Sequence, residues 1–162
     1  GLSEVIPDNL QWFGYKEHQE SIHAVSIVST DWYDPKGEDG INAVMIITAK
    51  QECDKCLEEA KFLQNKLSAW KSQDLGIKVI TLVIDDLMSK PATVDTALKW
   101  KSSNYQVDAV VAADPLSIML PENVLAMPYH TIVNPRTMKV IGIQEGVVDD
   151  YKVLEDLANV NK

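Results

Sequence analysis

Two kinds of hydrophobic pattern alternate along the chain. Nearly unbroken apolar runs occupy residues 41–48, 77–84 and 107–113. Their length and β-branched content predict strands buried on both faces. Between the first two, residues 53–71 switch to a helical period. Cys56, Ala60, Leu63, Leu67 and Trp70 share one stripe, while Glu58, Lys61, Gln64 and Lys66 lie off it. Gly76 stands past the end, where a helix stop belongs. After Pro91, a second helix is expected with Val94, Ala97, Leu98 and Tyr105 on its apolar side and Trp100 off it, partly exposed. Residues 22–30 alternate loosely and predict a strand. Residues 129–133 and 139–144 predict two more, joined by a link short enough for a hairpin. Residues 116–126 are a short helical or irregular connection. Asp149 and Asp150 open a last helix carrying Val153, Leu154, Leu157 and Ala158. Residues 1–21 are polar and mixed and receive no element. Asp34-Pro35-Lys36-Gly37 and Asp39-Gly40 are turn chemistry. The order β, β, α, β, α, β, β, β, α predicts an α/β layered domain with a mixed sheet.

Length and composition narrow the function. The chain has 162 residues, which suits one domain. Its net charge of −9 argues against nucleic acid and anionic membrane surfaces as partners. No apolar run reaches the ~18 residues of a membrane helix. Gly1 stands where an initiator Met is expected, so either an upstream segment or a trimmed Met is implied, and the compartment stays open. Two cysteines cannot build a disulfide scaffold.

The spacing of those two cysteines is the most informative feature. Cys53-Asp54-Lys55-Cys56 begins where a buried strand hands over to a helix. A thiolate there faces unpaired backbone N–H groups and the positive end of the helix dipole, which favour the reactive form. Cys56, one turn in, is placed to attack a mixed disulfide on Cys53. The competing readings are two ordinary half-buried cysteines, or half of a zinc site whose second ligand pair is absent.

From these residues the chain resembles the thioredoxin-like superfamily, and within it the TlpA- and ResA-like redoxins of exported bacterial proteins. The resemblance covers roughly residues 22–160. It rests on the strand before Cys53-x-x-Cys56, on Glu59 completing C-x-x-C-x-x-E, on Met127-Pro128-Tyr129-His130-Thr131-Ile132-Val133-Asn134, and on the hairpin that follows. It implies a three-layer fold with a mixed central sheet flanked by helices, residues 41–162 as core and residues 1–40 as an N-terminal β extension. It implies thiol–disulfide oxidoreductase activity, with Cys53 as nucleophile, Cys56 as resolving thiol, Pro128 as a cis-proline beside them and Glu59 as proton carrier for Cys56. Met127 would offer its backbone to a substrate strand. The implied partners are protein thiols or disulfides and a separate electron donor, with no cofactor and no metal. The implied location is exported or periplasmic, with a lipid anchor upstream as one form. The chain departs from the pattern at Glu52, where Trp is usual, at Asp54-Lys55, at Ile47, where thioredoxins proper carry a buried Asp, and at Met127. A narrow partner range, or weakened activity, follows.

Local charge adds to this. Residues 47–59 hold Lys50 and Lys55 against Glu52, Asp54, Glu58 and Glu59. Net negative charge disfavours a thiolate on Cys53, so the couple is expected to lean toward a reductant. The alternatives are a thioredoxin-like binding module without turnover, or a copper-handling protein of the Sco type using the cysteines and His130. His130 is otherwise a partly exposed strand residue. His18 and His23 are expected at the surface without partners. A peroxidase is less favoured: Lys50 stands where Thr or Ser is needed, and the sole arginine, Arg136, falls in a hairpin turn and is expected to be solvated. Asp31, Asp34, Glu38 and Asp39 do not have calcium-loop spacing.

Overall fold

In the computed structural model, which describes residues 1–148 and 150–162, the organising element is strand β3, Ala43–Ala49. All seven of its residues are buried, as an unbroken apolar run requires. It pairs in parallel with β4, Ile77–Val83, and antiparallel with β6, Tyr129–Asn134. β5, Val110–Ala113, extends the sheet in parallel beyond β4, and β7, Lys139–Glu145, closes the hairpin with β6. β1, Gln11–Tyr15, and β2, Val25–Val28, continue past β5, both antiparallel. Among the described residues one seven-stranded sheet results, in the order β2-β1-β5-β4-β3-β6-β7. The expected mixed sheet flanked by helices is therefore present.

Side-chain alternation along β3 defines the layers. Ala43, Met45 and Ile47 meet Leu63, Leu67 and Trp70 of helix α1, Asp54–Ser72, and Leu154 and Ala158 of helix α3, Lys152–Asn161. Helix α2, Val94–Ser103, joins the same face, where Ala97 and Trp100 cluster with Ala49, Val83, Val111 and Tyr15. Val44 and Ile46 face the other way, toward Trp12, Ile27 and Trp32. That face is covered by the N-terminal segment and a 3-10 turn, Ser29–Trp32, whose Trp32 stacks on Trp12 at 5.8 Å. Residues 116–126 form turns, the irregular form of the expected connection.

Several local expectations are corrected. β1 lies in the expected N-terminal β extension, but it was not assigned as a strand of its own. Gly14 lets it pack tightly, since a Cβ there would collide with the Val111 carbonyl and Ala112 of β5. Helix α1 ends at Ser72, close to the expected end, with Gln73 as C-cap, but the residue that turns the chain out of the helix is Asp74 rather than Gly76. Asp74 takes φ +54, its amide reaches the Lys71 carbonyl, and Leu75 N–H donates to the Trp70 carbonyl at 3.1 Å, a Schellman ending. Trp100 is buried at 3%, whereas Val94 and Tyr105, expected on the apolar side, are exposed at 39% and 77%. The true buried side of α2 is Thr96, Ala97 and Trp100, held by a Trp100 Nε1 bond to the buried Gln106 side chain at 3.3 Å. The expected start of the last helix lies partly on Asp149, outside the described residues; α3 itself begins at Lys152.

Because β3, β4 and β5 run parallel, their C-terminal ends share one edge of the sheet. That edge is where side chains following the strands converge, the usual location of a site in an α/β sheet.

Candidate active site

Cys53 follows β3 at this edge and is the N-cap of α1. Its backbone is extended, with φ −151° and ψ 104°, and its carbonyl accepts the Leu57 amide at 3.0 Å. Its Sγ accepts the Cys56 amide at 3.1 Å, a role that Ser or Asp usually fills. The sulfur thus sits on the orphan donors of the helix terminus. Cys53 and Cys56 are joined in a disulfide, with Cα atoms 5.2 Å apart. Cys53 is half-buried and Cys56 is buried at 2%, so an incoming group meets Cys53 first. The nearby lysines are engaged with acids: Lys55 with Glu58 at 3.3 Å and Lys50 with Asp85 at 3.8 Å.

The Met127–Pro128 peptide bond is cis. Pro128 is buried, and its carbonyl accepts from the Gly146 amide at 2.9 Å. Met127 packs against the same hydrophobic cluster as Cys53 and Leu57, a cluster that includes Cys56, and Tyr129 pairs with Thr48 near the end of β3, so the Pro128 segment and the start of α1 lie at the same edge of the sheet. Among the described residues the Met127 amide and carbonyl make no backbone hydrogen bond. The structure thus brings Cys53, Cys56 and the Pro128 segment together.

Glu59 lies one turn after Cys56 on the buried side of α1, 2% exposed. It does not stand alone. Its Oε2 is 2.7 Å from His130 Nε2, and its Oε1 accepts the Val148 amide at 2.6 Å. His130 is 1% exposed, which corrects the expectation of a partly exposed strand residue without a role. The strand pattern hid it, because β6 is buried on both faces and gives no alternation to read. His130 is the register partner of Ile47.

Other expectations also change. Arg136 is not solvated. Its guanidinium donates to the Asp34 carbonyl at 2.8 Å, the Ile41 carbonyl at 2.7 Å, Asn42 Oδ1 at 2.9 Å and the Asn161 carbonyl at 3.0 Å. These partners surround the N-terminal end of β3, the edge opposite Cys53. His18 has partners after all: its Nε2 is 2.6 Å from Asp108 Oδ1, with Lys71 beside it. Both ring nitrogens of His130 are engaged, with Glu59 and with the Gln144 carbonyl, so it is not free to join the cysteines around a copper ion. Among the described residues no helix is long and apolar enough to cross a membrane.

No protein-family model and no curated protein sequence matches the chain. Solved structures do. The thioredoxin domain of a thiol-disulfide oxidoreductase from Bacteroides vulgatus superposes with TM-score 0.65 at 15% identity, over 98% of this chain and 99% of that one. The fold is thioredoxin-like. A secreted thiol-disulfide isomerase from Corynebacterium glutamicum matches 93% of this chain and 85% of its own, with TM-score 0.60 and 16% identity. A peroxiredoxin 6 from Arenicola marina matches 98% of this chain and 72% of its own, with TM-score 0.61 and 14% identity. The thioredoxin-like fold thus accommodates different thiol chemistries, and the side chains at the edge of this sheet must discriminate among them.

Proposed function

We propose that the protein is a thiol–disulfide oxidoreductase acting on protein thiols or disulfides. The observation that carries this reading is a half-buried Cys53 on the amides of a helix terminus, bonded to a buried Cys56 beside the Pro128 segment. Cys53 is the entering nucleophile and Cys56 the resolving thiol. Glu59 carries the proton that Cys56 takes up or releases. The unpaired backbone of Met127 receives an extended segment of the substrate, with buried Pro128 fixing its position. A separate donor returns electrons. Exported or periplasmic placement is part of the proposal, supported by the secreted neighbour. A peroxidase is disfavoured because Arg136 is tied to the opposite edge, where it cannot reach a peroxide at Cys53.

Insulin reduction with a dithiol reductant is the test. The wild type is expected to accelerate precipitation, Cys53→Ser to abolish the effect, and Cys56→Ser to trap mixed disulfides visible by mass. Equal inactivity of wild type and Cys53→Ser would overturn the reading and favour a binding module.

A further inference from the structure

The Glu59–His130 pair holds more than a position. A carbonyl oxygen only accepts, so the 3.0 Å contact of His130 Nδ1 with the Gln144 carbonyl places a hydrogen on Nδ1. Glu59 Oε1 is occupied by the Val148 amide. That leaves His130 Nε2 and Glu59 Oε2 facing each other at 2.7 Å, both buried. With no hydrogen between them, two lone pairs would meet away from water, a costly arrangement. With one hydrogen, on either atom, the contact is a short and favourable hydrogen bond. The geometry therefore counts one proton. It also places that proton near the chemistry. Residues three apart on a helix have Cβ atoms about 5–6 Å apart, and Cys56 and Glu59 share the buried side of α1.

We propose that Glu59 and His130 hold one proton between them while the Cys53–Cys56 bond is closed, and that this proton passes to Cys56 Sγ when the bond is reduced. This deepens the exchange reaction proposed above and rests on it. A reductant thiolate attacks Cys53 Sγ and a new S–S bond forms there. The Cys53–Cys56 bond breaks, its electron pair goes to Cys56 Sγ, and Glu59 delivers the proton to that sulfur. The reductant's second thiolate then displaces Cys53 as a thiolate. The reductant departs as a disulfide, oxidised by two electrons, and the protein pair is reduced by the same two. His130 is a positioning residue: it keeps Glu59 loaded and touches neither sulfur nor substrate.

The emptied pair regains its proton from water. A cavity of about 240 Å³ lined by His130, Gln144, Tyr151 and Lys152 supplies the approach. The other titratable or charged groups near the pair are Cys56, one turn before Glu59 on the buried side of α1, and Asp150, Tyr151 and Lys152 at the start of α3, which line the cavity. Tyr151 does not compete for the proton, because burial first, and the charge of Glu59 second, push its hydroxyl well above the usual phenol range. On β6 and β7, Tyr129 and Glu145 are one residue out of register with His130 and Gln144, so they point to the other face.

Two measurements decide the matter. In oxidised wild-type protein with nitrogen-15-labelled histidine, the NMR spectrum should show one strongly deshielded, exchange-protected hydrogen in the Glu59–His130 contact, bonded to Nε2 or hydrogen-bonded to it. It should vanish in Glu59→Gln. The second is single-turnover reduction of the disulfide by dithiothreitol, normalised to its thiolate. The wild-type rate should be flat with rising pH. Glu59→Gln and His130→Gln should fall with pH and end about tenfold slower, below the ~100-fold that a general acid can supply because thiolates leave readily. The double variant should be no slower than either single, since the two act as one unit. Absence of any such hydrogen from the contact in the wild type, whether on His130 Nε2 or on Glu59 Oε2, would overturn the proposal. So would variants with unchanged melting midpoint and wild-type rate and profile. If His130→Gln does not fold, Glu59→Gln and the wild-type spectrum still decide. If insulin is not reduced while both measurements come out as described, the oxidoreductase reading falls and the proton-holding pair stands.

Discussion

The two ends of β3 each carry a buried acid matched to one base, and the bases differ in a way that separates structure from chemistry. At the N-terminal end Asp34, 2% exposed, is faced by Arg136 at 3.7 Å. At the C-terminal end Glu59 is faced by His130 at 2.7 Å. Arginine keeps its proton under all ordinary conditions and offers five donors in a rigid fork. Four bonds of that fork tie together the turn around Asp34, the entry to β3, the β6–β7 hairpin and Asn161 at the end of α3. Histidine presents only two ring positions, and either one can act as donor or acceptor depending on where its hydrogen sits. The first pair fastens the chain and the second holds something that can move. Burial and charge type alone do not distinguish a structural ion pair from a chemical one; the exchangeable proton does.

The largest expected effect comes from breaking the fastening. Arg136→Ala leaves the carbonyls of Ile41 and Asn161 and the side chain of Asn42 without their charged donor. The loss should be about 3 kcal/mol or more, since each buried acceptor left unpaired costs about 1–3 kcal/mol. Urea unfolding measures it. Arg136→Lys should recover only part, because a single ammonium cannot span a fork's acceptors. In whatever fraction stays folded, reduction of the disulfide by dithiothreitol should proceed at the wild-type rate. β3 separates the two ends by seven residues, roughly 23 Å at ~3.3 Å per residue. A slowed reaction in the folded fraction would mean that the ends communicate and that the contrast drawn above is wrong.

A second effect, smaller and pH-dependent, sharpens the same contrast. Burial pushes the Asp34 carboxyl up, but the Ile41 and Asp39 amides and then Arg136 outweigh it and hold it below the usual carboxylate range. A carboxyl whose folded value is depressed contributes stability that is complete above the ordinary range and lost as pH falls through the lowered value. The gap in urea midpoint between wild type and Arg136→Ala should therefore narrow on acidification. A gap that stays constant down to strongly acidic pH would show that Arg136 acts through the carbonyls alone.

These two ends were unequally legible in the sequence. The cysteine pair and its helix could be read, because spacing and a strand-to-helix junction are local signals, whereas Pro128 was marked only by resemblance. The buried side of α1 was readable as well, Cys56, Ala60, Leu63, Leu67 and Trp70 falling where a 3.6 period puts them. Glu59 could be marked as chemical only by resemblance, and its partner could not be found at all. His130 is 71 residues away, on a strand whose burial on both faces erases the alternation that would reveal an inward polar residue. Arg136 escaped for a related reason. A lone cation in a hairpin turn ordinarily means solvent, and its acceptors come from positions 34 to 161 that only the closed sheet brings together. Resemblance put the β1 segment in an N-terminal β extension, but its pairing with β5 could not be read, because that depends on Gly14 meeting the β5 backbone, a contact with no trace in local composition. Helix α2 was drawn with the wrong phase because Thr96 and Asn104, both polar, are buried, while apolar Val94 and Tyr105 are not.

The smallest expected effect concerns charges at the surface around Cys53, and it marks the limit of the contrast between fastening and chemistry. Glu52 and Asp54 are exposed beside the sulfur, and Lys55 and Lys50 are taken up by Glu58 and Asp85. Nothing there offsets the acids except the amides of the helix start, notably the Cys56 N–H on Cys53 Sγ. The couple should accordingly lie below roughly −150 mV against glutathione, on the reducing side of strong oxidants. Glu52→Lys should stabilise the Cys53 thiolate, hence the reduced form, and raise the potential. A charge at a helix terminus is worth about 0.3–1 kcal/mol, which over two electrons is about 6–20 mV. Being exposed, this shift should collapse at ~1 M salt, where screening acts within about 3 Å. The effect of Glu59→Gln on reduction rate, arising from a buried pair, should persist at the same salt. If salt erased both alike, the proton on Glu59 would be no more protected than a surface charge, and its burial beneath α1 would have no chemical consequence.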